Sequence, residues 1–347
     1  MEKRFMTGNE AIAEAAIQAG CRHFFGYPIT PQSEIPEYMS KWLPKVGGVY
    51  LQAESEVAAI NMLFGAAGSG ARVMTSSSSP GISLMQEGIS YIAGARLPCV
   101  IVNIMRGGPG LGGIQPSQSD YFQATKGGGH GDYHLIVLAP HTIQEAVYLT
   151  MKSFDLADKY RNPVMILGDG YMGQMMEPVS FPKLTPQYTS KEWALTGARD
   201  RPANLIKSLY LDPSALEKHN LVINETIQKI KKEEVQVETT QTDDAEIIIA
   251  AYGTVARIAK TAIEILRGKG LKVGLIRPIT VFPFPSRTFE EFADRQFLVV
   301  EMNFGQMLED VQLSLRGKTP VHFYGRTGVV PNYDEIILEV EKLAGSR

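Results

Sequence analysis

The sequence predicts an α/β protein in which an open, doubly wound sheet is followed by a second, smaller α/β block. Short apolar runs rich in β-branched residues alternate with longer segments of helical periodicity. The chain has 347 residues, enough for two domains with sizeable cores, and its hydrophobic content of 44% is typical of a globular protein. A polar, charged stretch at 231–244 separates the two blocks and indicates a linker.

The first block begins with a helix over residues 7–20 that ends at Gly20, because glycine suits the position after a helix. The glycine-rich segments Gly107–Gly113 and Lys126–Gly131 are expected to be surface loops. Strands are predicted at Cys21–Gly26, Gly48–Leu51, Val73–Ser76, Pro98–Ile104, Leu135–Leu138 and Pro163–Leu167, and helices at Glu54–Gly68, Pro80–Ala95 and Thr142–Tyr160.

The second block follows a helix at Pro213–Lys232, for which Asp212 is the expected cap. Strands are predicted at Glu246–Ala250, Lys272–Ile276, Phe297–Val300 and Val321–Tyr324, and helices at Thr254–Gly268 and Gln306–Leu315. We therefore place a first domain at 1–182, a connecting segment with one helix at 183–244 and a second domain at 245–347.

Composition narrows the class of function. A net charge of -3 gives no basic surface for nucleic acid, and no apolar run is long enough to span a membrane. No signal peptide is visible, and two widely separated cysteines, Cys21 and Cys99, suit a reducing cytoplasm. Two cysteines do not provide the four ligands of an iron–sulfur cluster, and glycines surround His130 and His134, so we expect no metal site.

The stretch Tyr27–Pro31 leads from a predicted strand into a predicted helix start. Thr30 is expected to cap that helix, and Pro31 suits its first position because proline has no N–H to leave unpaired. Free backbone N–H groups and the helix dipole at such a junction favour the carboxylate of a small acid. An ordinary structural turn is the alternative at this point.

Two glutamates open the helix that follows the strand Gly48–Leu51. At helical spacing Glu56 shares a face with Ile60 and Leu63, whereas Glu54 lies on a more mixed face. A carboxylate on a buried stripe costs free energy unless a partner satisfies it, which makes Glu56 a functional candidate. Glu54 is the second choice, and a favourable interaction with the helix dipole is the structural alternative for both.

Two further junctions place polar groups where ligands bind in open α/β sheets. Ser76–Gly81 is a second strand-to-helix turn, with a hydroxyl cap and Pro80 expected at the first helical position. Arg106 ends the strand Val100–Met105, where its planar guanidinium suits a carboxylate. The structural alternative for Ser76–Gly81 is a simple helix cap, and the alternative for Arg106 is an ordinary surface arginine.

One motif has the form of a cofactor site. Gly168-Asp169-Gly170 resembles the start of the magnesium–diphosphate motif of thiamine diphosphate enzymes, but the next asparagine, Asn204, lies beyond several prolines. We interpret this segment as the end of the last strand of the first domain. The first strand is followed by no G-x-G-x-x-G and the chain has no P-loop, so the fold does not indicate NAD or ATP.

Together these segments resemble the alpha subunit of the 2-oxoacid:ferredoxin oxidoreductases, over nearly the whole chain. The residues that carry the resemblance are Tyr27–Pro31, the helix of Glu56, Ser76–Gly81, Ile92–Cys99, Arg106 and Val300–Gln306. The resemblance implies a pyrimidine-type thiamine-diphosphate-binding domain followed by a transketolase C-terminal-like domain. It also implies a hetero-oligomeric cytoplasmic enzyme that is active only with its partner subunits.

The resemblance also implies roles for individual residues. Glu56 matches the glutamate that contacts the aminopyrimidine N1′ of thiamine diphosphate and promotes its activation. Thr30 matches a threonine that contacts substrate, and Arg106 an arginine that pairs with the substrate carboxylate. Pro28, Ile29 and Ser79 are expected to contribute to cofactor binding, and no metal ligand is expected in this chain.

The implied reaction is the coenzyme A-dependent oxidative decarboxylation of a 2-oxoacid, with reduction of ferredoxin. A diphosphate-binding catalytic subunit is expected to bring Mg²⁺, and ferredoxin-like and small gamma-type subunits complete the complex, with [4Fe-4S] clusters on the partners. The segment Ile114–Asp120 differs from the histidine-bearing loop of the pyruvate-type enzymes. A branched-chain (2-oxoisovalerate) substrate is therefore favoured, with 2-oxoglutarate next.

Two alternatives remain open from the sequence. The chain is either catalytic, as the resemblance implies, or a noncatalytic scaffold that positions its partner. A transketolase-like thiamine enzyme that works without ferredoxin is the other possibility.

Overall fold

The computed structural model describes residues 3–183 and 190–345. Up to residue 183 the elements are β1 (Arg4–Thr7), α1 (Gly8–Gln18), β2 (His23–Gly26), α2 (Glu34–Trp42), β3 (Val49–Gln52), α3 (Glu56–Gly68), β4 (Val73–Ser77), α4 (Ser79–Gly94), β5 (Val100–Met105), α5 (Tyr121–Thr125), β6 (Ile136–Leu138), α6 (Ile143–Tyr160), β7 (Val164–Asp169), α7 (Gly170–Gln174) and β8 (Met176–Val179).

From residue 190 onward the elements are α8 (Pro213–Glu233), β9 (Val237–Thr240), β10 (Ile247–Ala250), α9 (Gly253–Gly268), β11 (Val273–Pro278), β12 (Thr280–Phe282), α10 (Ser286–Glu291), β13 (Gln296–Glu301), α11 (Gln306–Leu315), β14 (Val321–Gly325) and α12 (Tyr333–Gly345). None of the helices described is long and apolar enough to cross a membrane.

The first sheet has seven strands in the order β12-β6-β7-β5-β4-β2-β3. Six are parallel, and β12 joins antiparallel at one edge. Helices α3 and α4 pack on one face, and α1, α2 and α6 pack on the other. The predicted doubly wound sheet is confirmed. Its strand order reverses between β2 and β4, which creates a crevice at their carboxyl ends.

The second sheet has five strands in the order β14-β13-β10-β11-β9, with β9 antiparallel to β11. Helices α9 and α12 pack on one face, and α10 and α11 on the other. Here the strand order reverses between β10 and β13. The second α/β block is therefore also wound in two directions from a central point.

The two units are joined by one strand that crosses between them and by a common hydrophobic core. The strand β12 follows β11 of the second sheet but pairs with β6 of the first. One hydrophobic cluster contains both Ile101 of β5 and Ile248 of β10. An ion-pair network adds to this contact, because Arg277 of β11 binds Glu145 of α6 through two hydrogen bonds of 3.0 and 2.8 Å.

Local signals account for several helix ends. Thr7 and Glu10 form a reciprocal capping box at the start of α1, and Gly20, with φ of 88°, follows its end. The predicted cap of α8 is confirmed, since Asp212 Oδ1 accepts a hydrogen bond from Ala215 N at 2.7 Å.

Some predicted boundaries were wrong. The expected linker at 231–244 contains β9, which pairs along β11 and so belongs to the second sheet. The strands β1, β8 and β12 and the helix α12 had not been predicted. Both β1 and β8 are short, and they pair with each other although they lie at opposite ends of the sequence of the first unit. A pairing between residues so far apart leaves no local pattern in the sequence.

The start of α2 also differs from its prediction. The helix begins at Glu34 rather than at Pro31, and Thr30 lies in a turn closed by a hydrogen bond from Gln32 N to Ile29 O at 3.1 Å. The Gln32 side chain is fully buried, and its Oε1 accepts a hydrogen bond from Ser76 Oγ of β4 at 2.5 Å. This tertiary contact holds the segment in a turn, so Thr30 does not cap the helix.

Candidate active site

The predicted site residues leave the carboxyl edge of the first sheet at neighbouring strands. Thr30 follows β2, Glu56 follows β3, Ser79 follows β4 and Arg106 follows β5. Because these strands are parallel and paired in register, their carboxyl ends lie side by side. The strand order reverses here between β2 and β4, and such reversals are where ligands bind in open α/β sheets.

Glu56 is the first residue of α3 and is 5% exposed. Ser55 caps the helix, its Oγ accepting a hydrogen bond from Ala58 N at 3.2 Å, so the Glu56 side chain is not used for capping. Within the described part of the chain, the Glu56 carboxylate has no hydrogen-bond or ion-pair partner. Glu54 is exposed, so the structure distinguishes the two glutamates as the helical spacing predicted.

Gly81 of α4 lies directly against the Glu56 carboxylate. A Cβ atom at this glycine would lie 2.5 Å from Glu56 Oε1 and 2.1 Å from Ser77 Oγ. No residue with a side chain fits without displacing one of these groups. The absence of a Cβ at Gly81 therefore lets the Glu56 carboxylate and the Ser77 hydroxyl approach the backbone of α4 closely.

Two serine hydroxyls lie at the junction of β4 and α4. The Oγ atoms of Ser77 and Ser78 are buried and have no hydrogen-bond partner among the described residues. Helix α4 begins at Ser79, so Pro80 is its second residue, and Ser78 makes no capping hydrogen bond. The expected hydroxyl cap was wrong, because the backbone bond from Gly81 N to Ser78 O, 2.7 Å long, closes this turn without it. Unpaired buried hydroxyls indicate an unsatisfied need for a polar ligand.

Ser79 connects α4 to the residue that follows β5. Its Oγ donates to Asp120 Oδ2 at 2.6 Å and accepts from the backbone N–H of Arg106 at 3.0 Å. Asn103 of β5 donates to the same Asp120 oxygen at 2.9 Å. Burial raises the pKa of Asp120, and the hydrogen bonds from Ser79 and Asn103 oppose that shift. The Ser79 hydroxyl is thus engaged within the protein, where it fixes the Arg106 backbone.

The structure brings Arg106 and Thr30 together. Arg106 Nη1 donates to Thr30 O at 3.0 Å, and Nη2 donates to Leu111 O in the glycine-rich loop at 3.0 Å. Arg106 Nε is buried and has no acceptor among the described residues. Two carbonyls therefore orient the guanidinium, and of its five N–H donors these two bonds use two, one on each Nη.

A cavity of about 660 Å³ adjoins Thr30. Its lining contains one acidic residue, Glu34, and no basic residue. The lining residues are Thr30, Pro31, Ser33, Glu34, Ile114, Gln115, Pro116, Gly170, Tyr171, Gln174 and Met175. Pro28 and Ile29, the other residues predicted to contact a cofactor, lie on the same β2–α2 segment, with Pro28 exposed and Ile29 half-buried.

Sequence reasoning missed three residues of this region, namely Gln32, Asn103 and Asp120. Gln32 and Asn103 are fully buried; Gln32 stands between Pro31 and Ser33, whereas Asn103 lies inside the apolar strand β5. A polar residue in such a run must find a partner. A polar residue within an apolar run was therefore the feature of the sequence that could have pointed to Asn103, although it does not identify the partner.

The segment Gly168–Gly170 ends β7, as predicted. Asp169 Oδ1 accepts hydrogen bonds from Tyr171 N at 2.9 Å and Met172 N at 3.2 Å, which caps α7. Burial raises the pKa of Asp169, and hydrogen bonds from Thr254 and the α7 backbone oppose this. The side chain of Asn204 donates to Ala194 O at 3.0 Å. These contacts give both residues structural partners.

The two histidines of the second glycine-rich loop have separate surroundings. His130 is exposed, while the His134 ring stacks on Phe282 of β12 with ring centroids 4.1 Å apart. Over residues 3–183 and 190–345, no group of three or more His, Cys, Asp or Glu side chains is arranged to hold a metal ion.

Comparisons with known proteins identify the family. Residues 14–246 match the family described as pyruvate flavodoxin/ferredoxin oxidoreductase, thiamine diphosphate-binding, and residues 245–336 match pyruvate:ferredoxin oxidoreductase core domain II. The chain belongs to the 2-oxoacid:ferredoxin oxidoreductase family. The predicted family, its oxidoreductase class and its thiamine-diphosphate-binding fold are confirmed.

Relatives of this oxidoreductase subunit align over its full length. It is 48% identical to the ketoisovalerate oxidoreductase subunit VorB of Methanothermobacter marburgensis, over 99% of both chains. It is 38% identical to the 2-oxoglutarate synthase subunit KorA of Methanothermobacter thermautotrophicus, over 98% of both chains. Both relatives are named as subunits, so the chain belongs to a multi-subunit type of oxidoreductase.

Solved structures agree with this assignment. A 2-oxoglutarate:ferredoxin oxidoreductase from Magnetococcus marinus, with 2-oxoglutarate, coenzyme A and succinyl-CoA bound, superposes with a TM-score of 0.86 at 27% identity. The match covers 98% of this chain and 65% of that one. A split-gene transketolase in an inactive tetramer shares only the fold, with a TM-score of 0.61 at 12% identity.

Proposed function

We propose that this chain is the catalytic alpha subunit of a coenzyme A-dependent 2-oxoacid:ferredoxin oxidoreductase that acts on a branched-chain 2-oxoacid. The complex would convert the 2-oxoacid and coenzyme A to acyl-CoA and CO₂ and pass the electrons to ferredoxin. The observation that carries the proposal is the carboxylate of the buried residue Glu56, which lies against Gly81 without a partner among the described residues, at the strand-order reversal of a thiamine-diphosphate-binding fold.

The residues around Glu56 fit an aminopyrimidine ring. Among the described residues the carboxylate has no partner and is available to accept a hydrogen bond from a ring nitrogen, and the hydroxyls of Ser77 and Ser78 also lack partners there. Gly81, which has no Cβ, lets this carboxylate lie against α4. Thiamine diphosphate, when bound, supplies the carbon nucleophile that attacks a 2-oxo group. In this proposal Glu56 holds and exchanges a proton at the ring, which is the role of a general acid–base residue.

Arg106 and Thr30 are proposed to receive the substrate. The Nε donor of Arg106 has no acceptor among the described residues, and the backbone of Thr30 lies at the same guanidinium. A guanidinium oriented by two carbonyls recognises a carboxylate with little loss of side-chain entropy. The carboxylate is later lost as CO₂, so Arg106 orients the bound substrate rather than stabilising the product.

The cavity beside Thr30 supports an apolar substrate side chain. Ile114, Pro116 and Met175 contribute apolar surface, and Glu34 is the charged residue among those that line it. A second carboxylate, as in 2-oxoglutarate, would meet Glu34 without a counter-charge, which is unfavourable. The similarity to a ketoisovalerate oxidoreductase subunit supports the same choice, and 2-oxoglutarate remains the second candidate.

Partner subunits complete the proposed enzyme in the cytoplasm. A diphosphate-binding subunit would supply Mg²⁺, and ferredoxin-like and small gamma-type subunits would complete the complex. The [4Fe-4S] clusters would lie on the partners, because the two cysteines of this chain cannot ligate a cluster that needs four.

We divide the chain into a pyrimidine-type domain at 1–182, a connecting segment at 183–244 and a transketolase C-terminal-like domain at 245–347. The start of the second family match at residue 245 supports the last boundary.

The test is a panel of 2-oxoacids given to the complex assembled with its partner subunits, read as coenzyme A-dependent dye reduction. We expect 2-oxoisovalerate to have the highest kcat/KM. Glu56→Gln should lower kcat by about 10²–10⁴-fold, the usual contribution of a positioned proton-transfer group. Glu54→Gln is the matched control, since Glu54 is an exposed glutamate two residues away.

The two alternative functions give different results in the same preparation. Full turnover by an assembled Glu56→Gln complex would indicate that the chain is a noncatalytic scaffold. A purified complex without iron would instead indicate a transketolase-like enzyme that needs no ferredoxin.

A further inference from the structure

The crevice at the carboxyl edge of the second sheet is filled by a residue from the first domain. The strand order reverses between β10 and β13, and ligands of open α/β sheets bind at such a reversal. Gln118, which is fully buried, lies there between Tyr252, which follows β10, and Met302, which follows β13.

Each polar atom of Gln118 has a hydrogen-bond partner in this crevice. Its Nε2 donates to Tyr252 O at 3.0 Å, and its Oε1 accepts from Met302 N at 3.0 Å. Its backbone N–H donates to Met302 O at 3.0 Å, and its carbonyl accepts from Asn303 Nδ2 at 2.8 Å. Donors and acceptors are thus matched at both ends of the amide, as they are for a recognised ligand.

Gln118 also lies at the far end of the loop that begins with Arg106. Arg106 forms a bridge with Pro116, and Gly107 N donates to Gln115 O at 2.9 Å, so the loop closes two residues before Gln118. Leu111, whose carbonyl orients the Arg106 guanidinium, is in the middle of this loop. A shift at Gln118 is therefore passed directly to the base of the loop.

We infer that the second domain binds Gln118 as an internal ligand and in this way positions the Arg106 loop for the 2-oxoacid. The inference rests on the proposed role of Arg106 in substrate binding. Gln118 is a positioning residue, since it acts through the loop and touches no reacting atom. The second domain then contributes to substrate affinity although its own crevice is filled by protein.

The test is Gln118→Ala in the assembled complex. This change removes the two side-chain hydrogen bonds and leaves in place the three hydrogen bonds of the Gln118 backbone, with Met302 O, Asn303 Nδ2 and Tyr252 Oη. We expect KM for the 2-oxoacid to rise about tenfold or more, because small displacements of an orienting group are costly, with a smaller change in kcat. Hydrogen exchange of residues 107–116 should become faster. Gln118→Glu keeps the size of the side chain but sets a carboxylate against Tyr252 O, so it should act in the same direction.

Tyr121→Phe is the matched control. Tyr121 Oη donates to Asp310 Oδ2 at 2.6 Å, which is another buried contact between the two domains, but it lies on α5 beyond the loop. We expect this variant to have a lower Tm with KM and the exchange of 107–116 unchanged.

The outcomes separate this inference from the proposed function. An unchanged KM in both Gln118 variants, alongside a raised KM in Arg106→Leu, overturns the positioning role and leaves Gln118 a packing contact. An unchanged KM in Arg106→Leu itself contradicts the proposed function instead. Unchanged exchange of 107–116 in Gln118→Ala overturns the inference whatever the kinetics.

Discussion

Glu56 is 5% exposed, and its carboxylate has no hydrogen-bond or ion-pair partner among the described residues, an arrangement that costs free energy in a folded protein. The surroundings of Glu56 maintain this arrangement, because Ser55 takes over the capping of α3 and Gly81, which has no Cβ, lets the carboxylate lie against α4. Unsatisfied buried groups of this kind are concentrated at functional sites. Glu56 is therefore the residue at which we propose that the ligand binds.

Gly81→Ala tests whether the close approach of Glu56 to α4 is needed. Glycine to alanine within a helix normally stabilises by about 0.5–1 kcal/mol, but here the new Cβ would overlap Glu56 and Ser77, and overpacking costs about 1–3 kcal/mol. We expect a lower Tm for the isolated chain and a large loss of activity in the complex.

Gly65→Ala is the control for Gly81→Ala. Gly65 is exposed on α3, and a Cβ there would meet nothing within 4 Å. This change should raise the free energy of unfolding by about 0.5–1 kcal/mol. Equal effects of the two substitutions, measured by thermal denaturation, would show that Gly81 is not kept small by Glu56.

Arg106→Leu should impair substrate binding without impairing assembly. Removing one partner of a charge-assisted pair costs about 2–5 kcal/mol, which corresponds to a loss in kcat/KM of roughly 30-fold to several thousand-fold. Gel filtration of the complex checks assembly, and steady-state kinetics check the loss. Near wild-type kcat/KM would argue against a carboxylate at this arginine.

At the scale of elements, local signals predicted some helix ends and missed others. The bounds of α11, Gln306–Leu315, agree with the prediction to the residue, and Asp212 caps α8 as expected. The start of α2 was wrong because Gln32 is held by Ser76, a residue 44 positions away. Capping patterns describe contacts within one turn, so they fail where a distant side chain holds the segment.

The cap of α8 provides a prediction at this scale. Asp212→Ala should lower the free energy of unfolding by about 0.5–2 kcal/mol, since it leaves the backbone N–H of Ala215 without its acceptor. Asp212→Asn, which keeps an acceptor oxygen, should restore most of the loss. Urea denaturation of the three proteins measures both effects, and equal stability of wild type and Asp212→Ala would contradict the capping role.

At the scale of the whole molecule, an ion-pair network holds the two domains together. Arg277, which is 2% exposed, binds both Glu145 of α6 and Glu238 of β9, and Lys260 joins Glu238 at 2.6 Å. Burial opposes the ionisation of Glu145, but hydrogen bonds from His141 and Arg277 outweigh it and lower its pKa to about 2. The network is therefore stabilising only while Glu145 is ionised.

This pKa predicts acid sensitivity. The folded-state pKa of Glu145 lies below its ordinary value of 4.5, so its contribution is present above about pH 4.5 and is lost as the pH falls towards 2. The contribution is on the order of 3 kcal/mol at most, since one pKa unit corresponds to about 1.4 kcal/mol. The free energy of unfolding, measured by urea at a series of pH values, should fall less steeply below pH 4.5 in Glu145→Gln than in wild type. If the free energies of unfolding of wild type and Glu145→Gln changed with pH in parallel, Glu145 would not be the cause of the acid sensitivity.

The sequence by itself determined the doubly wound α/β fold, the family and the candidates Glu56, Thr30 and Arg106. The fold follows from patterns that neighbouring residues create, namely apolar periodicity and capping residues, and the polar groups at strand ends pointed to the candidates. The family and the roles of these candidates follow from the resemblance of motifs such as Tyr27–Pro31 to those of known proteins. Only the tertiary structure decided that Gly81 lies against Glu56, that Asp120 and Asn103 support Ser79, and that Gln118 fills the crevice of the second sheet. Those contacts join residues far apart in the chain, and their partners depend on strand order and packing, which no local pattern encodes.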